Sequence, residues 1–501
     1  MSGLEPENAA LSCPCGPAAT DRKSKGMTKM SGTLSGGALG ATARSSGAPT
    51  LIMFTGLAGT WLLLPSTDAE SMFATAAIGV GISLLSATAM EAFSGVRALL
   101  RTDNLMLWVL YGLTLLEFLF PQPDVNSIVT VDAATRGTGA VLVGFFGLVV
   151  GRHLIAKKPN SNLALEFTSS QLFAVFILAF AIGYLHIFIA VNFDPIEMLR
   201  QMSWPRFSQS WGRGKYGDLY SLLYELSLLI YILPPAAGLI FARATQFSMF
   251  QKFVVSLILL LTFYYAFASG TRNVLATYVI SMFAAYALSR PNLQLKRVLM
   301  MGIPIAGFLV FATALMLEFR SAGGVLAIAS EDHHYHTLYI DHNIVNLSNL
   351  TNVFPDAVDF LGLELPYQTI IKPIPRALWP GKPEGLSTGI EEALGVTDGV
   401  TTLSCTFVGE AYMAFGFLGV LIAGLMFGAG AAWWNRVGQE SASSFSQILY
   451  ASGFLCAAMA MRSILVMVPY MLPTLTLWLF GRFWLPRSKA RQSGNNSNRR
   501  I

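Results

Sequence analysis

Two groups of side chains in this sequence have the types and spacing to do chemistry. The first is cationic. The segment Lys372-Pro-Ile-Pro-Arg376-Ala-Leu-Trp379-Pro-Gly-Lys382-Pro-Glu384 is rich in proline. Proline fixes φ and offers no N–H donor, so this predicts a stiff, non-helical strap. Such a strap holds Arg376 and Lys382 in a fixed relation at small entropic cost. Arg272 lies in the turn Ser269-Gly-Thr-Arg272-Asn273, Arg320 follows Glu318, and Arg462 closes a late apolar run. A guanidinium grips phosphate oxygens through a bidentate fork, more strongly where water is excluded. Arg320 and Arg462 also admit plainer readings, as snorkelling or capping residues or as partners of Glu318 and Glu410.

The second group could move a proton. Four of the six histidines fall within Glu331-Asp-His-His-Tyr-His336 and the following Asp341-His342. A base that takes a proton from an acceptor hydroxyl must be a histidine or carboxylate within hydrogen-bond reach. This cluster and Glu410 qualify by type; a solvated polar turn is the alternative reading of the cluster. The histidine spacing matches no usual zinc pattern, so no metal is predicted. Cys13, Cys15, Cys405 and Cys456 have no pairing spacing, so neither a disulfide framework nor a zinc site is expected. The sequence has no GxxxxGK[ST] phosphate loop, no GxGxxG after a strand and no Asp-x-Asp pair. No cofactor is predicted, and an enzyme built this way must find its energy stored in the substrate.

Membrane helices must position these groups. Of 501 residues 53% are hydrophobic and 12% charged, against roughly 25% charged in soluble domains, which marks an all-α polytopic membrane protein. About twelve apolar runs of spanning length occur, near 50–66, 70–92, 104–120, 137–156, 170–191, 219–242, 252–269, 273–289, 298–318, 407–432, 446–462 and 465–484. Residues 1–48, rich in Gly, Ser, Ala and Thr, are expected to form a disordered cytoplasmic tail. Segment 49–319 then holds the first nine helices, 320–406 a large outer loop, 407–485 the remaining helices, and 486–501 a basic cytoplasmic tail.

Lys and Arg set the orientation. With the N-terminus inside, every inner connection carries a cation, among them Arg97, Arg101, Arg152, Lys157, Arg243, Lys296 and Arg436. Short outer connections such as Ser66–Glu70 and Pro121–Asp132 are acidic or neutral. The net charge of +5 is thus segregated, which argues topology and not nucleic acid. On this topology Glu117, His186, Glu225, Arg272, Glu318, Arg320, Glu410 and Arg462 fall at the outer ends of their runs. Glu91 and Arg152 fall towards the inner ends, where snorkelling accounts for them. A coupled transporter is expected to keep ionisable groups near the midplane. The working site is therefore expected at the outer membrane–water boundary, where a lipid pyrophosphate would place its diphosphate. Asn192–Asp218 interleaves Arg200, Arg206, Arg213 and Lys215 with Phe193, Trp204 and Phe207, which suits either an interfacial segment on membrane lipids or an amphipathic cover over the bundle.

Pro373-Ile-Pro-Arg376-Ala-Leu-Trp379-Pro380-Gly-Lys382-Pro383 resembles the PR-x-x-WP-x-KP segment of Wzy-type O-antigen and exopolysaccharide repeat-unit polymerases, where it lies in the large periplasmic loop. Gly409-Glu410-Ala-Tyr412-Met-Ala-Phe415-Gly416-Phe-Leu-Gly419 resembles the segment opening the next helix in that family, and the Ser-Gly-Thr-Arg272 turn is similar to a third. The resemblance covers these short segments in residues and most of the membrane portion in architecture. It implies a glycosyltransferase of the bacterial cytoplasmic membrane, multi-pass with both termini cytoplasmic. Its donor would be a growing glycan on polyprenyl pyrophosphate and its acceptor a new lipid-linked repeat unit, with a chain-length regulator as an optional partner. Arg272 and Arg376 would then bind the pyrophosphate, with Lys382, Arg320 and Arg462 assisting. Trp379 would stack on a sugar or brace the strap. Glu410 is the first choice of acceptor base, with Asp341 and His342 behind it, or else a partner that orients an arginine. An O-antigen ligase-like transferase shares the donor; a polysaccharide or lipid exporter is the alternative of another class.

Overall fold

The computed structural model describes residues 47–155, 165–204, 209–211, 223–269, 272–290, 293–321, 342–374, 379, 381–383, 404–440 and 443–484. Among these residues it is helical, with no β-strand. In chain order the main helices are α1 (Gly47–Leu62), α2 (Ala69–Ala92), α3 (Thr102–Thr114), α4 (Val131–Gly151), α5 (Ser169–Ala190), α6 (Pro195–Met202), α7 (Leu223–Ala242), α8 (Met249–Ala268), α9 (Arg272–Leu288), α10 (Leu295–Ser321), α11 (Asn343–Val353), α12 (Glu364–Ile371), α13 (Thr406–Glu440), α14 (Ser444–Arg462) and α15 (Ile464–Trp484). The expected N-terminal tail lies outside the described residues up to position 46.

Among the described residues nine helices are long and apolar enough to cross a membrane: α2, α4, α5, α7, α8, α10, α13, α14 and α15. Three of the expected runs are shorter. α1 has 16 residues, α3 has 13 and α9 has 17. At 1.5 Å per residue these reach only about 20–25 Å, against a hydrocarbon core of about 30 Å. The run around Glu117 ends as an α-helix at Thr114 and tightens into a 3-10 turn, Leu116–Leu119.

Two apolar cores organise the bundle. One is built from α1, α2, α3, α4, α11 and α13; the other from α5, α7, α8, α9, α14 and α15. α14 is almost wholly buried, and its residues enter both cores, Ala457 and Met461 in the first, Ile448 and Phe454 in the second. The first core is closed by glycine. A Cβ on Gly151 would lie 2.4 Å from Leu425 O, and one on Gly428 would lie 2.4 Å from Leu148 O. α4 and α13 therefore meet backbone to backbone, as small residues spaced four apart allow in membranes. Helix starts are capped by side chains: Asp68 before α2, Thr130 before α4, and Thr168 with Gln171 before α5.

Part of the expected long loop is core. Ile344, Val345, Leu347 and Leu350 of α11 are buried between α4 and α13. α13 is itself two helices. Phe415 (φ −149°) and Gly416 (φ 59°, ψ −146°) break it, and Leu361 and Gly362 donate their N–H groups to the carbonyls of Met413 and Ala414 at 2.9 and 3.0 Å. In a straight helix Ala411 and Gly419 would stand about 12 Å apart. A Cβ on Gly419 would instead lie 2.2 Å from Ala411 O, so 406–414 folds back sharply on 417–440. Glycine is required at 416 because its φ is positive.

Candidate functional site

The break in α13 carries Glu410 to the junction between α14 and α15. Its carboxylate accepts hydrogen bonds from the Ser463 hydroxyl and from the N–H groups of Ile464 and Leu465. Ser463 in turn accepts from Val466 N at 3.2 Å and starts α15 from an extended backbone (φ −167°). Glu410 is buried. Arg462, the last residue of α14, is partly exposed and its side chain makes no hydrogen bond or ion pair to another described residue.

The strap reaches the same place. α12 packs against α13 and α15, and Lys372, at its C-terminus, acts electrostatically on Glu410. Lys382 Nζ donates to Lys372 O at 2.8 Å and to Ile374 O at 2.9 Å, while its N–H closes a turn onto Trp379 O at 3.0 Å. Lys382 thus ties the described end of the expected strap to the open end of α12, an arrangement that satisfies helix carbonyls left without partners. Trp379 sits half-buried in the turn. Arg376 and Asp341, together with the cluster from Glu331 to His336, lie outside the described residues. The same is true of the side chain of Arg320, whose backbone ends α10.

Arg272 opens α9, which runs antiparallel to α14. At one end Ser289 donates to Gln447 Oε1 at 2.9 Å. Towards the other, Asn273 and Thr277 share a small apolar groove with Phe454 and Ala458 of α14 and with Leu105 and Val109 of α3. Arg272 therefore stands at the Arg462 end of α14. His342 precedes α11 with φ 42°, its ring stacked on Phe118 at 6.4 Å. Phe118 lies beyond the C-terminus of α3, away from Asp103, so His342 belongs to this end as well. Arg136, not anticipated from the sequence, bonds Asn352 at 2.6 Å and Asp132 at 3.1 Å near the start of α4.

The opposite end of the bundle differs from expectation. Glu91 and Arg152 do not snorkel; with Arg101 and Asp103 they form a buried cluster whose side chains are 1–5% exposed. Arg101 forks onto Asp103 at 2.9 and 2.8 Å, and Asn435 of α13 donates to the same carboxylate at 2.7 Å. Arg152 bonds Glu91 at 3.1 Å and Thr50 at 2.7 Å, and lies 3.7 Å from Asp103. Asn104 donates to Glu91, and Tyr450 of α14 donates to Asn435 at 2.8 Å and to Leu100 O at 2.9 Å. Two guanidiniums thus meet two carboxylates, and the net charge of the cluster is zero. It ties the ends of α1, α2, α3, α4, α13 and α14.

Among the described residues no group of His, Cys, Asp and Glu could hold a metal ion. Residues 341–445, which run from the start of α11 through the strap and α13, match the model of a domain of unknown function, DUF8712. No curated protein sequence and no solved structure matches the chain.

Proposed function

We propose that this chain is a polysaccharide repeat-unit polymerase, joining oligosaccharide units carried on polyprenyl pyrophosphate at the outer face of a bacterial cytoplasmic membrane. The observation that carries the reading is the contrast between the two ends of the bundle. At one end the cations are neutralised inside the protein. At the other, Arg462 forms no ion pair among the described residues, and Arg272, Lys372 and Lys382 share that end. Arginines and lysines gathered at a membrane boundary suit a lipid diphosphate, whose tails stay in the bilayer.

In the reaction the acceptor sugar hydroxyl attacks the anomeric carbon of the donor glycan. A new glycosidic bond forms, the bond from that carbon to the pyrophosphate breaks, and polyprenyl pyrophosphate departs with the electron pair. Arg272 and Arg376 offset the charge that develops on the diphosphate, an electrostatic role; Lys382, Arg462 and Arg320 add to the field. The hydroxyl proton passes to a base, Asp341 or His342. The reading takes about twelve spans, counting α1, α3 and α9 as short crossings, with N- and C-termini cytoplasmic.

The test is loss and complementation in the source cells. Without the protein, short lipid-linked units should accumulate. Arg272→Ala and Arg376→Ala should each fail to restore chain extension while reaching the membrane in normal amount. Near-normal chain length in both variants would refute the diphosphate role, and accumulation of unattached long chains would assign the donor to a ligase instead.

A further inference from the structure

The contacts of Glu410 bear on its own role. A general base needs a lone pair open towards the proton it takes. Glu410 is buried, one of its oxygens accepts from Ser463 Oγ, and the other accepts from the N–H groups of Ile464 and Leu465. Three donors already engage this buried carboxylate, which leaves it little room to meet a sugar hydroxyl. They also fix the chain where α14 ends. Ser463, held in extended conformation by this clasp, directly follows Arg462. The clasp reaches across 53 residues to the short arm of α13, which the break at Gly416 folds into place.

We infer that Glu410 is a positioning residue: its carboxylate clamps the Ser463–Leu465 turn and so sets the Arg462 guanidinium towards a lipid diphosphate. The acceptor base is then another group, with Asp341 and His342 the ones to test. The kinetic part of this inference rests on the polymerase reading; the binding part does not.

Glutamine separates the roles. In Glu410→Gln the amide oxygen still accepts from Ile464 and Leu465 and the amide N–H still reaches Ser463 Oγ, but no proton can be taken. The experiment uses full-length protein in nanodiscs, with lipid-linked units extracted from cells lacking the protein as substrate and undecaprenyl pyrophosphate as the binding probe. Glu410→Gln should keep kcat within about threefold and leave its pH profile unchanged, whereas Glu410→Ala and Ser463→Ala should raise KM about tenfold with kcat retained. If Glu410→Gln and Glu410→Ala both lower kcat by about a hundredfold or more and remove the acid limb of the profile, Glu410 is the base and the inference is overturned. If the wild type makes no polymer, yet Arg462→Ala and Glu410→Ala weaken probe binding about tenfold while Glu410→Gln does not, the polymerase reading fails and the positioning role stands. Probe binding indifferent to Arg462→Ala and Glu410→Ala overturns the inference whatever the activity.

Discussion

Replacing Asp103 by alanine should be among the most damaging single changes in the membrane portion. Asp103 accepts two hydrogen bonds from Arg101 and one from Asn435, and it lies 3.7 Å from Arg152. Its loss takes from the Arg101 guanidinium, 5% exposed, its hydrogen-bonded carboxylate, and removes one of the two acidic neighbours of Arg152. Removing one partner of a buried ion pair costs about 3–5 kcal/mol, because the remaining charge is stranded away from water. Removing both charges together, as Arg101→Met with Asp103→Leu, should cost far less. Cys405 and Cys456, both partly buried in the fold, report unfolding through a thiol-reactive dye during a thermal ramp. The single variant should lower the apparent melting temperature by roughly 3–5 °C, and the paired variant should recover most of that loss. A single variant within about 1 °C of wild type would refute the stranded-charge argument. A paired variant as unstable as the single one would refute it equally.

Further outcomes follow from the broken helix and the strap. Gly416→Ala forces an L side chain into φ 59°, and Gly419→Ala puts a methyl group within 2.2 Å of Ala411 O. Each should destabilise by about 1–3 kcal/mol in the same melting assay, and wild-type stability in either would mean that α13 is not sharply bent. Lys382→Met releases the carbonyls of Lys372 and Ile374. Trypsin should then cut faster after Arg376, and an unchanged rate would show that Lys382 does not tie the strap.

What the sequence could and could not disclose has physical reasons. Spanning helices are announced by length and apolarity, and nine of the expected runs meet both. α1 and α3 fall short because the apolar stretch outlasts the α-helix that forms in it, as at Thr114, whereas the run at α9 is itself short. α11 was hidden inside a polar interval, although Ile344, Leu347 and Leu350, three residues apart, mark a buried helical face. The charge cluster was illegible because its members come from positions 91, 101, 103, 152, 435 and 450, and each alone resembles a snorkelling end residue. Glu410 stood out in its motif, yet its partners lie more than fifty residues away, so the sequence could offer a carboxylate but not a clasp. Gly416 and Gly419 were noted only as parts of a motif; the structure gives them separate tasks, one of conformation and one of close approach. Arg376 and Asp341, which carry much of the expected chemistry, lie outside the described residues.

The most direct measurement is of bond formation itself. Purified full-length protein in nanodiscs is incubated with lipid-linked repeat units, without nucleotide or added metal, and the glycan products are resolved by length. A ladder rising by whole repeat units, with release of polyprenyl pyrophosphate in step, is the predicted result. Units that stay single while the protein binds or moves them across the membrane would contradict it.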